Sequence, residues 1–170
     1  MPEPEFTGDV RTASSSGTES GNGSRTGRFA ICVGNFYRDL ADRLIEGTKE
    51  EFAKDGIGEH DIDVFEVPGA FELPLAAHYA AVSGRYDGVA CLGAVIRGET
   101  DHYDFVCNEA ARGIQNVQLE TGVPCGFGVL TVDNMDQALA RAGGGGKRDS
   151  GANAARAVLR MNEIRRELSD

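Results

Sequence analysis

Short apolar segments alternate along the chain with longer segments of helical periodicity, and this alternation is the feature that most constrains the fold. The apolar segments are 28–34, 62–67, 86–96 and 125–132. The third of them, YDGVACLGAVI, is apolar without a polar residue at every second position, as is typical of a strand covered on both faces. Strands that alternate with helices favour a parallel sheet with helices on both sides.

The segments between the strands predict the helices. Leu40, Leu44, Thr48 and Phe52 share one face at four-residue spacing, and Gly56 marks the end of that helix. The other predicted helices are 70–82, with Pro74 in its first turn, 101–121, 134–142 and 151–168. Right-handed crossovers then give an α/β fold, a three-layer αβα sandwich around a four-stranded parallel sheet of the flavodoxin-like type.

The domain organisation follows from length and local composition. A chain of 170 residues suits one domain. Residues 1–27 are dominated by Gly, Ser and Thr, with almost nothing apolar to bury, so we expect a disordered tail there. The domain is predicted to span residues 28–168, with a flexible glycine-rich linker at 143–150.

Charge and cysteine usage exclude several classes of protein. The net charge of −10 argues against a nucleic-acid partner, because such domains present a basic face. No apolar run approaches the roughly 18–20 residues that span a bilayer, which argues against a membrane partner. The four cysteines show no C-x-x-C spacing and no secretion signal precedes them, so we expect reduced thiols, a cytoplasmic location and no metal site.

Ligands of parallel α/β sheets bind at the carboxyl ends of the strands, so the loops after residues 34, 67, 96 and 132 are candidate sites. Phe36 follows the first strand, where it either stacks on a planar ligand or seals the first helix. Pro68-Gly69 follows the second strand and is expected to direct the first N–H groups of the next helix towards the cleft. Glu72 either belongs to that site or is only a first-turn carboxylate favoured by the helix dipole.

The loop after the third strand is the richest in polar groups. Gly98-Glu99-Thr100 precedes the long helix, where backbone amides and a hydroxyl suit a phosphate. Asp101 is an expected N-cap, and His102 in the first turn is either structural or a proton-transfer group, because histidine titrates near neutral pH. Arg97 contacts either a phosphate or a buried ion-pair partner. Arg141 complements a helix dipole or binds phosphate with its planar fork.

Three segments carry a resemblance: VPGAFELP (67–74), GAVIRGETDHYDFVCNEAARGI (93–114) and GVLTVDNMDQALARAG (128–143). Over about residues 28–167 the chain resembles the 6,7-dimethyl-8-ribityllumazine synthase family. The resemblance implies condensation of 5-amino-6-(D-ribitylamino)uracil with 3,4-dihydroxy-2-butanone 4-phosphate in the penultimate step of riboflavin biosynthesis. Phosphate and two waters leave, and no cofactor or metal takes part.

The resemblance also implies roles for individual residues. Phe36 would stack on the pyrimidine ring, His102 would transfer protons, and Phe127 would come from an adjacent subunit. The ring and ribityl chain would be bound by Ala70, Phe71, Glu72, Ala94, Val95 and Ile96, and the butanone phosphate by Glu99, Thr100 and Arg141. The implied partners are further copies of the chain in a pentamer, with a sixty-subunit cage left open, and riboflavin synthase as a possible second partner.

The sequence departs from the family pattern at two places. Asn35-Phe36-Tyr37 stands where members often have Arg-Phe-Asn, which bears on the ribityl contact. Ser150 stands where a lysine is usual, and Lys147 or Arg148 is a candidate replacement. A non-catalytic homologue that binds a flavin or lumazine, or that only forms a shell, is the alternative function.

Overall fold

The computed structural model describes residues 27–144 and 148–169, so the predicted tail lies outside it except for Gly27. The strands are β1 (Phe29–Gly34), β2 (Ile62–Val67), β3 (Gly88–Ile96) and β4 (Cys125–Val132). They form one sheet in the order β2-β1-β3-β4, and every neighbouring pair is parallel. The predicted four-stranded parallel sheet is therefore confirmed.

Helices cover both faces of this sheet. They are α1 (Arg38–Lys54), α2 (Leu73–Val82), α3 (His102–Thr121), α4 (Met135–Leu139) and α5 (Ser150–Glu167). Helices α1 and α5 pack together on one face, and α2 and α3 pack together on the other, which gives the predicted three layers. None of the helices in the described part of the chain is long and apolar enough to cross a membrane.

The side chains of β1 alternate between two hydrophobic cores. Phe29, Ile31 and Val33 join the core beneath α1 and α5, whereas Ala30 and Cys32 join the core beneath α2 and α3. All six residues of the strand are buried, since its alternate side chains meet helices on opposite sides. The α1 stripe of Leu40, Leu44, Thr48 and Phe52 is buried as predicted, and the Thr48 hydroxyl donates to the Leu44 carbonyl at 2.8 Å.

The four cysteines are free thiols, as the sequence predicts. Cys32, Cys91 and Cys125 are buried on the α2 and α3 side of the sheet, where Cys32 and Cys91 are direct neighbours in β1 and β3. Burial raises the pKa of the Cys32 thiol to about 12. These thiols therefore serve as small apolar groups in the core.

Two predicted helices have different bounds in the structure. The predicted helix 70–82 begins with a 3-10 turn at Ala70–Glu72 before α2, whose first turn holds Pro74. The predicted helix 134–142 is wrong at its end, because α4 stops at Leu139. The chain reverses there: Ser150 N–H donates to the Arg141 carbonyl at 2.9 Å, and Ala142 forms an antiparallel bridge with Asp149. These long-range bonds compete with a continued helix.

Two glycines in β4 let α5 approach the sheet closely. A Cβ at Gly126 would clash with the carbonyl oxygen of Ala154, and one at Gly128 would lie 3.0 Å from the carbonyl oxygen of Ser150. Any larger residue at these positions would push strand and helix apart. Phe127 lies between them and belongs to the opposite face of the sheet, because side chains alternate along a strand.

A hydrogen-bonded cluster joins the amino ends of the strands. Asp63 in β2 accepts a hydrogen bond from the Tyr86 hydroxyl at 2.8 Å and from the Arg28 guanidinium at 2.7 Å. These two bonds hold the pKa of Asp63 below its usual range. The charged form of Asp63 therefore stabilises the folded chain, and that contribution is lost as the pH falls through the folded-state pKa.

We predict that Asp63→Asn lowers the urea midpoint at pH 7 by a few tenths of a molar, because the exposed cluster contributes modestly. The difference from the parent should shrink below about pH 4. There the Asp63 carboxyl of the unfolded chain takes up a proton, so its charge no longer favours the folded chain as strongly. Urea unfolding followed by circular dichroism at pH 7 and pH 3 measures both effects.

Tyr86→Phe is the matched variant, since it removes the hydroxyl and keeps the ring. It should show a smaller loss with the same pH dependence. A midpoint difference for Asp63→Asn that is equally large at pH 3 would contradict the role of the charge.

Candidate active site

The carboxyl edge of the sheet holds an open cleft of about 610 Å³. Its walls come from the loops after β1 and β2, from the end of β3 and from the first turns of α3. The lining residues are Phe36, Tyr37, Pro68, Gly69, Ala70, Phe71, Glu72, Ala94, Val95, Ile96, His102, Phe105 and Val106. Because these strands are parallel neighbours, their carboxyl ends bring residues distant in sequence to one place.

Aromatic rings dominate the open side of the cleft. The exposed fraction is 74% for Phe36, 58% for Phe71 and 69% for Phe105. Such exposure leaves ring faces free for a planar ligand, which would remove apolar area from water on binding. The cleft is therefore suited to a flat, partly apolar molecule.

The loop between β1 and α1 carries Phe36. Its backbone continues the β1–β2 ladder, since Asn35 N–H donates to the Val67 carbonyl at 2.9 Å. Tyr37 packs against the core under α1 and meets Phe36 edge-on, with ring centroids 4.9 Å apart. Tyr37 thus takes the sealing position that the sequence left open for Phe36, and Phe36 faces the cleft.

The turn after β2 brings Phe71 and Glu72 to the cleft. Backbone packing at this turn is tight, because a Cβ on Gly34 would lie 2.9 Å from the Gly69 carbonyl carbon. The N–H groups of Glu72 and Leu73 donate to the carbonyls of Gly69 and Ala70 within the 3-10 turn. These two N–H groups are therefore bonded within the turn and are not free for a ligand.

The loop between β3 and α3 places His102 at the cleft. His102 N–H lies 3.4 Å from the Thr100 hydroxyl, so the loop closes on itself before the helix begins. Asp101 occupies the N-cap position, but its side chain makes no capping hydrogen bond, contrary to expectation. Glu99 and Thr100 are exposed beside the cleft and do not line it within one chain.

Arg97 has an ion-pair role, as one of its two interpretations predicted, but the pair is exposed rather than buried. Its guanidinium lies 3.1 Å from Asp133 and 3.7 Å from Asp104, and it covers the Tyr103 ring at 4.1 Å from the centroid. These contacts tie the end of β3 to α3 and to the loop after β4. Arg97 is not among the residues that line the cleft.

Phe127 and Arg141 lie outside the cleft of their own chain. Phe127 is 44% exposed on the edge strand β4. Arg141 follows α4, and its guanidinium donates to the Gln137 carbonyl at 2.9 Å. The next residue, Ala142, packs in the core under α1 and α5, which is the other side of the sheet from Ala70 and α3.

Of the two candidate replacements for the expected lysine, Arg148 lies within the described residues and Lys147 does not. Arg148 is exposed, and its backbone N–H donates to the Ala140 carbonyl at 3.2 Å. Ser150 is the first residue of α5.

Sequence reasoning missed Phe105 and Tyr37 as cleft residues. Phe105 follows His102 by three positions, so both lie on one face of α3, and this spacing was the available signal. Among residues 27–144 and 148–169, no group of three or more His, Cys, Asp or Glu is arranged to hold a metal ion.

A flavodoxin-like three-layer fold with an aromatic, histidine-bearing cleft at its carboxyl edge defines an α/β protein whose cleft is suited to a small planar ligand. The sequence profile of the 6,7-dimethyl-8-ribityllumazine synthase family matches residues 26–166. The chain belongs to this family, as the motifs at 67–74, 93–114 and 128–143 had indicated.

Proposed function

We propose that the chain is a 6,7-dimethyl-8-ribityllumazine synthase. It condenses 5-amino-6-(D-ribitylamino)uracil with 3,4-dihydroxy-2-butanone 4-phosphate and releases phosphate and two waters. The observation that carries the proposal is one cleft that is lined by eight of the residues assigned by resemblance. These are Phe36, Ala70, Phe71, Glu72, Ala94, Val95, Ile96 and His102.

The pyrimidine ring binds against Phe36 in this proposal. The exposed face of Phe36 supplies the stacking surface, and the end of β3 at Ala94–Ile96 forms the floor. Glu72 is the acidic group of the lining and accepts hydrogen bonds from ring N–H or ribityl hydroxyl groups. Holding the amine next to the ketone turns a bimolecular condensation into an effectively intramolecular one.

His102 transfers protons as the imine forms and as phosphate leaves. It lies in the cleft wall one turn before Val106, at the start of α3. The N–H groups at that helix start favour a departing anion, as do Glu99-Thr100 backbone amides in the adjoining loop. The chemistry needs proton transfer and charge stabilisation, which side chains and amides supply, so we propose no cofactor.

The complete site lies between two copies of the chain. Phe127 and Arg141 do not line the cleft of their own chain and are exposed or half-buried elsewhere. They therefore contribute to the cleft of a neighbouring copy of the chain. An apolar row on α2 supports association of copies: Leu75, Tyr79 and Val82 are exposed at helical spacing. We propose a homo-oligomer, pentameric by family resemblance, in the cytoplasm.

The direct test mixes the purified full-length chain with both substrates and follows the absorbance and fluorescence of the lumazine product. Light scattering on the same sample gives the size of the assembly. Product formation well above the rate of the substrates alone is expected. Tight binding of riboflavin without product would instead favour a non-catalytic binding homologue.

His102→Ala should lower turnover on the order of 10²-fold, which is the lower range for general acid–base groups, and leave the KM for the aminouracil little changed. Steady-state kinetics with each substrate varied separately measures this. His60→Ala is the control, since His60 is exposed outside the cleft and its loss should leave turnover unchanged. Unchanged turnover in His102→Ala would remove its catalytic role.

Arg141→Ala should raise the KM for the butanone phosphate by roughly 10- to 100-fold, because a charged hydrogen bond to phosphate is lost. The KM for the aminouracil should change far less. Arg166→Ala, at the exposed end of α5, is the matched control and should change neither constant.

Mixed oligomers test whether Arg141 acts across the subunit boundary. Co-expressed His102→Ala and Arg141→Ala chains should regain activity, because some sites then combine an intact His102 with an intact Arg141. No recovery in verified mixed oligomers would mean that both residues serve the same chain's site.

A further inference from the structure

We infer that Glu66 is a positioning residue for Phe36, and that it sets how tightly the planar ring of the aminouracil is bound. This inference rests on the proposed function. Glu66 does not line the cleft. It acts through Asn35 and Arg38, the residues on either side of the Phe36-Tyr37 pair.

Glu66 is the penultimate residue of β2 and lies directly beside Val33 of β1. One carboxylate oxygen, Oε2, accepts a hydrogen bond from the Asn35 amide at 3.2 Å and from the Arg38 guanidinium at 2.8 Å. Asn35 begins the β1–α1 loop and Arg38 is the first residue of α1, so a single acceptor on the neighbouring strand holds both ends of the segment that carries Phe36.

Arg38 is fixed from a second side. Its Nε lies 3.2 Å from Asp42, one turn further along α1, while its Nη1 donates to Glu66. Two carboxylates thus fix the plane of the guanidinium, which matches its forked geometry. Tyr37, the N-cap residue of α1, makes no side-chain capping bond, so the contact with Glu66 anchors a helix start that lacks a cap.

Phe36 has little packing of its own to keep it in place. Its ring contacts Tyr37 edge-on and is otherwise largely exposed. Its direction therefore follows from the backbone on either side, which Glu66 holds through Asn35 and Arg38. A loop that moves more freely must be ordered when the ligand binds, and that ordering weakens affinity.

The electrostatics agree with a charged anchor. Hydrogen bonds from Asn35 and Arg38 hold the pKa of Glu66 below its usual range. The groups are also solvent-exposed, and exposed ion pairs contribute little to global stability. Loss of Glu66 should therefore affect the loop far more than the free energy of unfolding.

The test compares Glu66→Ala and Glu66→Gln with Glu163→Gln in the full-length chain. Glu163 is a matched control, because it accepts from Arg160 at 2.8 Å and that arginine is as exposed as Arg38, at 58%. Glu66→Ala should raise the KM for the aminouracil about 3- to 10-fold and leave the KM for the butanone phosphate and the urea midpoint unchanged. Glu66→Gln keeps an acceptor oxygen and should lie between parent and Glu66→Ala.

Hydrogen exchange of the backbone amides at 35–41 gives a readout that does not depend on activity. Exchange there should be faster in Glu66→Ala than in the parent and unchanged in Glu163→Gln. Exchange in the double variant Glu66→Ala/Arg38→Ala should be only slightly faster than in Glu66→Ala, because both changes break the Glu66–Arg38 contact and Arg38→Ala further removes only the contact with Asp42 within α1.

Exchange equal to the parent, or an unchanged aminouracil KM in an active enzyme, would overturn the inference. A fall in the urea midpoint with both KM values raised would also overturn it, since that pattern means general destabilisation. If exchange at 35–41 is faster in Glu66→Ala than in the parent but the parent makes no lumazine, the proposed function is overturned. The role of Glu66 in holding the Phe36 segment then still stands.

Discussion

Burial of β1 and β3 on both faces is the constraint from which the rest of the structure follows. A strand without an exposed face needs a helical layer on each side. Parallel pairing then places every loop that leads from a strand to the next helix at the carboxyl edge of the sheet. The hydrophobic cores on the two sides of β1 supply the stabilisation, since alternate side chains contribute to each. The cleft exists because this arrangement leaves the carboxyl ends of β1, β2 and β3 uncovered at the same point.

The sequence was sufficient to predict what depends on local apolar pattern. Short segments rich in apolar and β-branched residues located the four strands, and the α1 stripe from Leu40 to Phe52 located the face that is buried. The end of α4 was not predictable in this way, because it is decided by hydrogen bonds between Arg141 and Ser150, nine residues apart. No periodic pattern records such a contact.

The candidate site shows the same division. The cleft position of Phe36 and His102 followed from the order of strands and loops together with the family motifs. Phe105 was missed, because an exposed aromatic on a helix has the same sequence pattern whether it faces a ligand, a neighbour or the core. Glu66 was missed because its partners, Asn35 and Arg38, come near it only through the pairing of β1 with β2.

The glycines on either side of Phe127 have a consequence for any surface that the β4 edge presents. Gly126 and Gly128 let β4 lie close to the main chain of α5, since a Cβ at Gly126 would clash with the Ala154 backbone and one at Gly128 would lie 3.0 Å from the Ser150 carbonyl oxygen. The main chain on either side of Phe127 is thus packed closely against α5, so a molecule that contacts the exposed ring of Phe127 meets a strand with little free space behind it.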